Sequence, residues 1–338
     1  MVSVCDKDWI LNTLSHRESE RVPFNFSFVP PVQRRLEEYY STNDLEQTFG
    51  LPIRMSGPKS IKPLYAHPDD FGATATDEFG VVWATNPNDR GQPIGTCLSE
   101  PELGAYSFPD ARSTHRYDGL PEWCTANAEH FLVLWVGDLW ERATFMRGME
   151  NLLLDVVHNR TFVADLLWGI ATYVLETMEV LDTCSFDCIA LSDDYGSQKA
   201  MLISPDTWRE LVKPCLRAVY AKAKQQGRYV FHHSCGNIEP IIPDLIDVGL
   251  DVLHPIQPEA MDILRLKREF GRDLCFCGGV GTQQLLVGQD CSGVREHVKM
   301  LKSEMGRDGG YILEPGITVQ VDVPLGNIVA MVDEVLRW

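Results

Sequence analysis

Two side chains two residues apart, His233 and Cys235, offer the most specific chemistry in this sequence. They stand in Tyr229-Val230-Phe231-His232-His233-Ser234-Cys235-Gly236-Asn237, where an apolar run that reads as a buried strand ends and a Gly-Asn pair turns the chain. On an extended backbone alternate residues share a face. An imidazole nitrogen and a thiolate can therefore meet a single tetrahedral ion, for which zinc is the usual occupant. A His-x-Cys pair also arises as core filling, since unpaired cysteine is among the most buried residue types. The surroundings must decide between the two.

Other polar groups recur in the same kind of place. Ser192-Asp193-Asp194-Tyr195-Gly196 follows the apolar run Asp187–Leu191, His254-Pro255-Ile256-Gln257 ends the run that starts at Asp251, and Cys277-Gly278-Gly279-Val280-Gly281 and Glu314-Pro315-Gly316 end two more. Asp193 and Asp194 either supply a proton or orient a substrate, or cap the turn that follows them. Gln257 is a second polar group near them, or a satisfied buried amide. Cys275 and Cys277 flank Phe276 and share the face opposite to it, with Cys277 nearer the strand end. The glycines at 278, 279 and 281 resemble a phosphate-cradling turn, but the dinucleotide spacing and the downstream acidic residue are missing. Five successive strand ends, each with a polar or thiol group followed by Gly or Pro, make a pattern that a purely structural protein has little reason to keep.

These groups need strands to carry them. Arg21–Phe28 reads as a first strand, after a helix near Lys7–Ser15 and before one over Val32–Tyr40. From Leu51 to Thr125 the chain is rich in Pro, Gly and Asp, and segments such as Thr76–Trp83 suggest a hairpin insertion or a cap over a site. Regular alternation follows: a strand at Phe131–Val136, helices over Leu139–Met146, Met149–His158 and Thr161–Cys184, and a strand at Asp187–Leu191. Ser204-Pro205-Asp206 then opens a helix that runs to about Gly227, Ser at the cap and Pro at the first helical position being usual entry chemistry. Strands at Tyr229–His233, Asp251–Ile256, Leu274–Cys277 and Tyr311–Leu313 alternate with further helices, ending with Leu325–Leu336. Apolar strands with helical crossovers imply a parallel sheet covered by helices. The count suits one closed (β/α)8 barrel spanning residues 1–338, with 51–125 as its insertion or cap region. A bare barrel takes about 250 residues, so insertions account for the excess. In such a barrel the active site lies at the carboxyl ends of the strands, where the polar groups fall.

The composition excludes several functions. With 48 acidic against 30 basic residues the formal net charge is −18, which argues against a nucleic-acid partner or an anionic membrane surface. No apolar run is long enough to span a bilayer, and Met1–Asp8 has no signal-peptide layout. A soluble, cytoplasmic protein is expected, whose ten cysteines stay as thiols available for metal or redox work.

Ser192–Gln198, Ile203-Ser204-Pro205, His233-Ser234-Cys235-Gly236, Gly310–Leu313 and Asp322–Ile328 together resemble the uroporphyrinogen decarboxylase superfamily, most strongly from about Asp187 onward. Within it the His-x-Cys-Gly motif is similar to that of the zinc-dependent, corrinoid-linked methyltransferases. The resemblance implies a TIM barrel. It also implies an enzyme that moves a methyl group between a small methylated substrate or thiol and a corrinoid (cobalamin) carried by a partner protein. Zn2+ at His233 and Cys235 would act as its Lewis acid, Asp193 or Asp194 as its acid or orienting group, and Gln257 and Tyr195 as substrate contacts. The methyltransferases carry a third zinc ligand, a cysteine, where this chain has Ile317; Glu314 and Cys277 are the available replacements. Porphyrinogen decarboxylation is the alternative within the same fold. The decarboxylases grip substrate carboxylates with an Arg-Gln-Ala-Gly-Arg segment, where this chain reads Val29-Pro30-Pro31-Val32-Gln33-Arg34-Arg35. A non-catalytic corrinoid- or metal-binding protein is the alternative from another class.

Overall fold

A computed structural model of the protein describes residues 6–60, 72–86 and 91–337. Ten strands are present among the described residues: β1 (Ile53–Ser56), β2 (Thr74–Thr76), β3 (Val82–Ala84), β4 (Gln92–Gly95), β5 (Phe131–Gly137), β6 (Cys188–Ser192), β7 (Tyr229–His233), β8 (Val252–Ile256), β9 (Cys275–Val280) and β10 (Tyr311–Pro315). Seven of them form one parallel sheet in the order β1-β5-β6-β7-β8-β9-β10, and β2-β3-β4 form a small antiparallel sheet. Parallel neighbours need a crossover, and helices supply it: Arg160–Leu181 is the longest of those between β5 and β6, and Ile263–Phe270 lies between β8 and β9. Because every strand of the main sheet runs the same way, all their carboxyl ends open on one side.

The sheet is curled. Ile53, Val133, Ala190, Phe231, Val252, Cys275 and Ile312, one from each strand in turn, belong to a single buried cluster, which only a sheet wrapped around its own concave face can assemble. The helix Asp6–Leu14 plugs the amino end of that space: Ile10 sits in the same cluster, and the helix packs against β5 and against both edge strands, β1 and β10. A second, larger layer of apolar side chains lies between the convex face and the helices.

The expected eight-stranded closed barrel appears here as seven strands plus a tether. The first expected strand, Arg21–Phe28, is reduced to isolated parallel bridges, Phe24 with Leu313 and Phe28 with Val319. Leu313 N donates to Pro23 O at 2.8 Å, Asn25 N to Leu313 O at 3.0 Å and Val319 N to Ser27 O at 2.9 Å. Pro23 has no N–H to offer a ladder and Pro30 already opens the next helix, so the extended stretch is short and bounded. The helix expected from Ser204 to Gly227 is likewise two, Pro205–Leu211 and Lys213–Gln225. Pro214, in the first turn of the second, lacks the N–H that would continue the first. Ser204 caps the entry as expected, its Oγ accepting from Thr207 N at 3.1 Å. β1 falls inside the 51–125 stretch yet pairs with β5 in the main sheet. None of the described helices is long and apolar enough to cross a membrane.

Candidate metal centre and cavity

The carboxyl ends of the strands open into a cavity of about 1040 Å³, at the upper end of the range of small-ligand sites. Its floor is polar: Asn25, Ser192, Asp194, His233, Cys235, His254 and Glu314. Trp135 and Phe231 form part of the apolar wall, and the antiparallel sheet adds Trp83 and Gln92 from the other side.

Asp194, His233 and Cys235 bring three ligand atoms within 4.8 Å of one another. β7 ends at His233, and the loop beyond it is pinned on three sides. Ser234 N donates to His254 O at 2.7 Å, Cys235 N to Asp194 Oδ1 at 2.7 Å and Gly236 N to Gln257 Oε1 at 2.6 Å. Gly236 takes a left-handed φ of 81°, and its α-carbon lies against the backbone of Gly196 and Ser197 so closely that no Cβ fits. Cys235 Sγ stands 3.4 Å from His233 Nε2, and His233 Nε2 stands 3.6 Å from Asp194 Oδ1. Ligands of a tetrahedral zinc, bonded at about 2.3 Å to sulfur and about 2.0 to 2.1 Å to nitrogen and oxygen, are spaced ~3.4 to 3.6 Å apart. The donor types and spacing therefore fit that ion.

A second trio, His254, Cys277 and Glu314, meets the same distance limit. Its chemistry is different. Cys277 is wholly buried and its thiol donates to Glu314 Oε2 at 3.0 Å, while Asn25 Nδ2 donates to Glu314 Oε1 at 3.0 Å. Burial, then the adjacent Glu314, pushes the Cys277 thiol well above its ordinary pKa. Burial lifts Glu314 to about 7, against the pull of its hydrogen bonds from Cys277 and Asn25. His254 Nε2 lies 3.6 Å from Glu314 Oε2, and burial, with His233 nearby, holds its pKa well below the usual imidazole value. The trios touch through the histidines, whose Nδ1 atoms are 2.9 Å apart. β7 and β8 put His233 and His254 side by side in register.

The residues singled out in the sequence thus separate. His233, Cys235 and Asp194 converge; Glu314 and Cys277 join each other and His254, and of these two only Glu314 borders the cavity. Asp193 is fully buried and does not line the cavity. Its Oδ1 accepts from Leu139 N at 2.8 Å and Glu141 N at 2.9 Å, at the start of the helix Trp140–Arg147, and its Oδ2 from Tyr195 Oη at 3.0 Å. Burial and the charge of Asp138 lift its pKa well above the carboxylate range. Tyr195 is buried, stacked on His232 and edge-on to Trp208. Gln257 holds the Gly236 turn. Neither of these two lines the cavity.

Sequence reasoning missed His254 and Asn25 as site groups, and also a polar rim. Ser192 Oγ donates to Glu141 Oε2 at 2.9 Å. Arg142 is buried between Asp77, at 2.9 Å, and Asp138, at 3.0 Å, and Arg116 pairs with Glu78, whose Oε1 also accepts from Tyr173 at 2.9 Å. His254 was signalled by its place at a strand end; the others stand on segments remote in sequence.

The sequence model of a family described as "Uroporphyrinogen decarboxylase (URO-D)" matches residues 135–338, which hold His233, Cys235 and five of the seven strands of the main sheet from β6 on. Among solved structures, a methyltransferase from Methanosarcina mazei superposes with a TM-score of 0.74 at 16% identity, covering 98% of each chain, a likeness of fold. The ribulose-1,5-bisphosphate carboxylase/oxygenase of Pyrococcus horikoshii OT3 reaches a TM-score of 0.38 at 9% identity, over 94% of this chain and 57% of that one. A search of curated proteins finds no significant match.

Proposed function

From a chain that belongs to the uroporphyrinogen decarboxylase family, we propose a zinc-dependent methyltransferase that moves a methyl group between a small methylated substrate or thiol and a corrinoid carried by a partner protein. The observation that carries this reading is the Asp194–His233–Cys235 trio, three donors within 4.8 Å of one another, with Cys235 and Asp194 3.4 and 3.6 Å from His233 Nε2, on the floor of an open cavity. The full-length likeness in fold to a methyltransferase agrees with it. In this reading Asp194 replaces the third ligand that the family's methyltransferases carry at the position of Ile317. Glu314 and Cys277 then stand behind the metal shell rather than in it.

Zinc bound there would supply Lewis acidity, lowering the pKa of a thiol or polarising the heteroatom that carries the methyl group. The chain's own residues do the rest. Asp194, fixed by Cys235 N, keeps one oxygen oriented at the floor; Trp135 and Phe231 shed water from the methyl's path; Glu314, held by Asn25 and Cys277, keeps a carboxylate beside His254. Asp193, Tyr195 and Gln257 serve indirectly, by setting the helix and turn on which the site rests. Segment 23–29 serves as the eighth stave of the barrel, and the small sheet β2-β3-β4, within residues 51–125, is part of the cap under which the substrate sits.

The test is elemental analysis joined to an anaerobic assay of cobalamin absorbance. Wild type should carry one zinc and methylate or demethylate cob(I)alamin or a cognate corrinoid protein, while Cys235→Ala should lose the metal and the activity, because each zinc bond matters to so small a shell. Equal zinc in the two proteins would refute the assignment. So would carbon dioxide release from uroporphyrinogen, which is expected to be absent.

A further inference from the structure

His233 and His254 face one another through Nδ1 atoms 2.9 Å apart, and that contact constrains both trios at once. A neutral imidazole carries a single N–H, so a histidine that ligates a cation through Nε2 must keep its proton on Nδ1. If both residues ligated through Nε2, two N–H groups would point at each other with no acceptor between them. One of the two must instead present a bare Nδ1 and carry its proton on Nε2.

We propose that the two trios are mutually exclusive, that the cation belongs to Asp194, His233 and Cys235, and that His254 is a positioning residue that orients His233 from behind. In this arrangement the His233 Nδ1–H donates to His254 Nδ1, and the His254 Nε2–H points to the Glu314 carboxylate 3.6 Å away. Asn25 and Cys277 in turn hold Glu314 by donating to one oxygen each, both at 3.0 Å. The inference rests on the metal reading above and adds to it which histidine ligates and which supports.

Three observations favour this direction. The Cys277 sulfur sits 3.0 Å from Glu314 Oε2 as a donor, tighter than the ~3.6 Å between sulfur and oxygen ligands of one zinc, whereas in the first trio both contacts of His233 Nε2, 3.4 Å to Cys235 and 3.6 Å to Asp194, already have ligand spacing. All three members of the first trio line the cavity, and Cys277 does not. His254 is flanked by Phe231, with ring centroids 5.0 Å apart, and by His233, at 4.9 Å, so its ring plane is fixed. A ligating histidine commonly gives its other N–H to an acceptor that sets its tautomer, and loss of that acceptor weakens metal binding about 10- to 100-fold.

The experiment titrates zinc into the full chain with a competing chelator and records the absorption of the cobalt(II)-substituted protein. Wild type should bind one equivalent. His254→Leu should bind about 10- to 100-fold more weakly with an altered cobalt spectrum, His254→Asn, whose amide can accept from His233 and donate to Glu314, should recover most of the loss, and Cys277→Ser should bind like wild type. Melting of the metal-free proteins checks that the variants fold. Ring 15N shifts of the unmutated, zinc-loaded protein read the tautomers without any substitution: His233 protonated on Nδ1, His254 on Nε2. Two tightly bound equivalents, a His254→Leu as tight as wild type, or His254 protonated on Nδ1 would each overturn the inference alone. A wild type that binds no zinc would overturn the metal reading itself, and the inference with it.

Discussion

Replacing Asp193 by alanine should cost stability, and replacing its neighbour Asp194 should not. The Asp193 carboxyl is fully buried and satisfies Leu139 N, Glu141 N and Tyr195 Oη together. Alanine strands all three donors in a region closed to water, and each stranded buried group costs about 1 to 3 kcal/mol. Because the three are neighbours the losses are not additive, and a total of about 3 to 6 kcal/mol is expected. For a chain of this length the unfolding entropy of about 2.1 cal/mol/K per residue turns that into a drop of ~4 to 8 °C in Tm. Asp193→Asn keeps an acceptor for the two amides and should lose only about 1 kcal/mol. Asp194 is half-exposed at the cavity, so Asp194→Ala should melt near wild type in the metal-free state yet bind zinc weakly. Urea unfolding of metal-free protein, paired with zinc content, separates the two. If Asp193→Ala melted like wild type and still lost activity, its carboxyl would be part of the chemistry and the geometric reasoning would fail.

Gly236→Ala should weaken zinc binding and lower stability together, because at φ 81° its Cβ collides with the backbone of Gly196 and Ser197 and the Cys235 loop must move; unchanged zinc affinity would show the loop to be softer than the packing implies. The second linkage is one of pH. Burial, then His233, holds His232 at about 3 against about 6.5 in the unfolded chain, so the unfolded state binds the extra proton between those values. Its contribution to stability is intact above about 6.5 and falls as pH drops toward 3, at up to ~1.4 kcal/mol per pH unit. Urea midpoints measured from pH 7.5 to pH 5 should fall less steeply in His232→Phe than in wild type, and parallel slopes would count against it.

Much of the frame was legible because its signals are local. Met149–His158, Tyr229–His233 and Leu325–Leu336 appear with the expected bounds, each marked by apolar periodicity between turn residues. The pair His233 and Cys235 was legible for the same reason: on one strand end, spacing alone sets direction. What failed to show was anything that depends on register between strands. His254 stands 21 residues after His233 and reaches it only because β7 and β8 align in that register, and Asn25 meets Glu314 across 289 positions. Asp193 and Asp194 read as equivalent in the chain, yet the turn after β6 sends one side chain under the next helix and the other over the cavity. The first strand read as regular because Phe24, Phe26 and Phe28 alternate; the prolines at its two ends cut its ladder to bridges.

The charge of the cavity bears on why methyl transfer suits this site better than decarboxylation of a porphyrinogen. A substrate with several carboxylates needs arginines free to grip them, bidentate pairing being the effective means. The family's arginine segment falls here on Val29–Arg35, where Arg34 is exposed on the helix Pro30–Tyr40 and neither Arg34 nor Arg35 borders the cavity. The cavity has two arginines of its own among the described residues, Arg116 and Arg142, but both are committed. Arg142 is buried between Asp77 and Asp138, and Arg116 is buried against Glu78. Breaking a buried pair of this kind costs about 3 to 5 kcal/mol, so neither arginine is spare to collect a ring of acids. Around them stand Asp194, Glu141 and Glu314, which repel an anionic guest. The same carboxylates are an advantage to a site that must hold a divalent cation, since its charge is what they offset. The arginines of this cavity thus serve to fix the small sheet onto the barrel mouth, through Asp77 in the loop before β3 and Glu78 beside it.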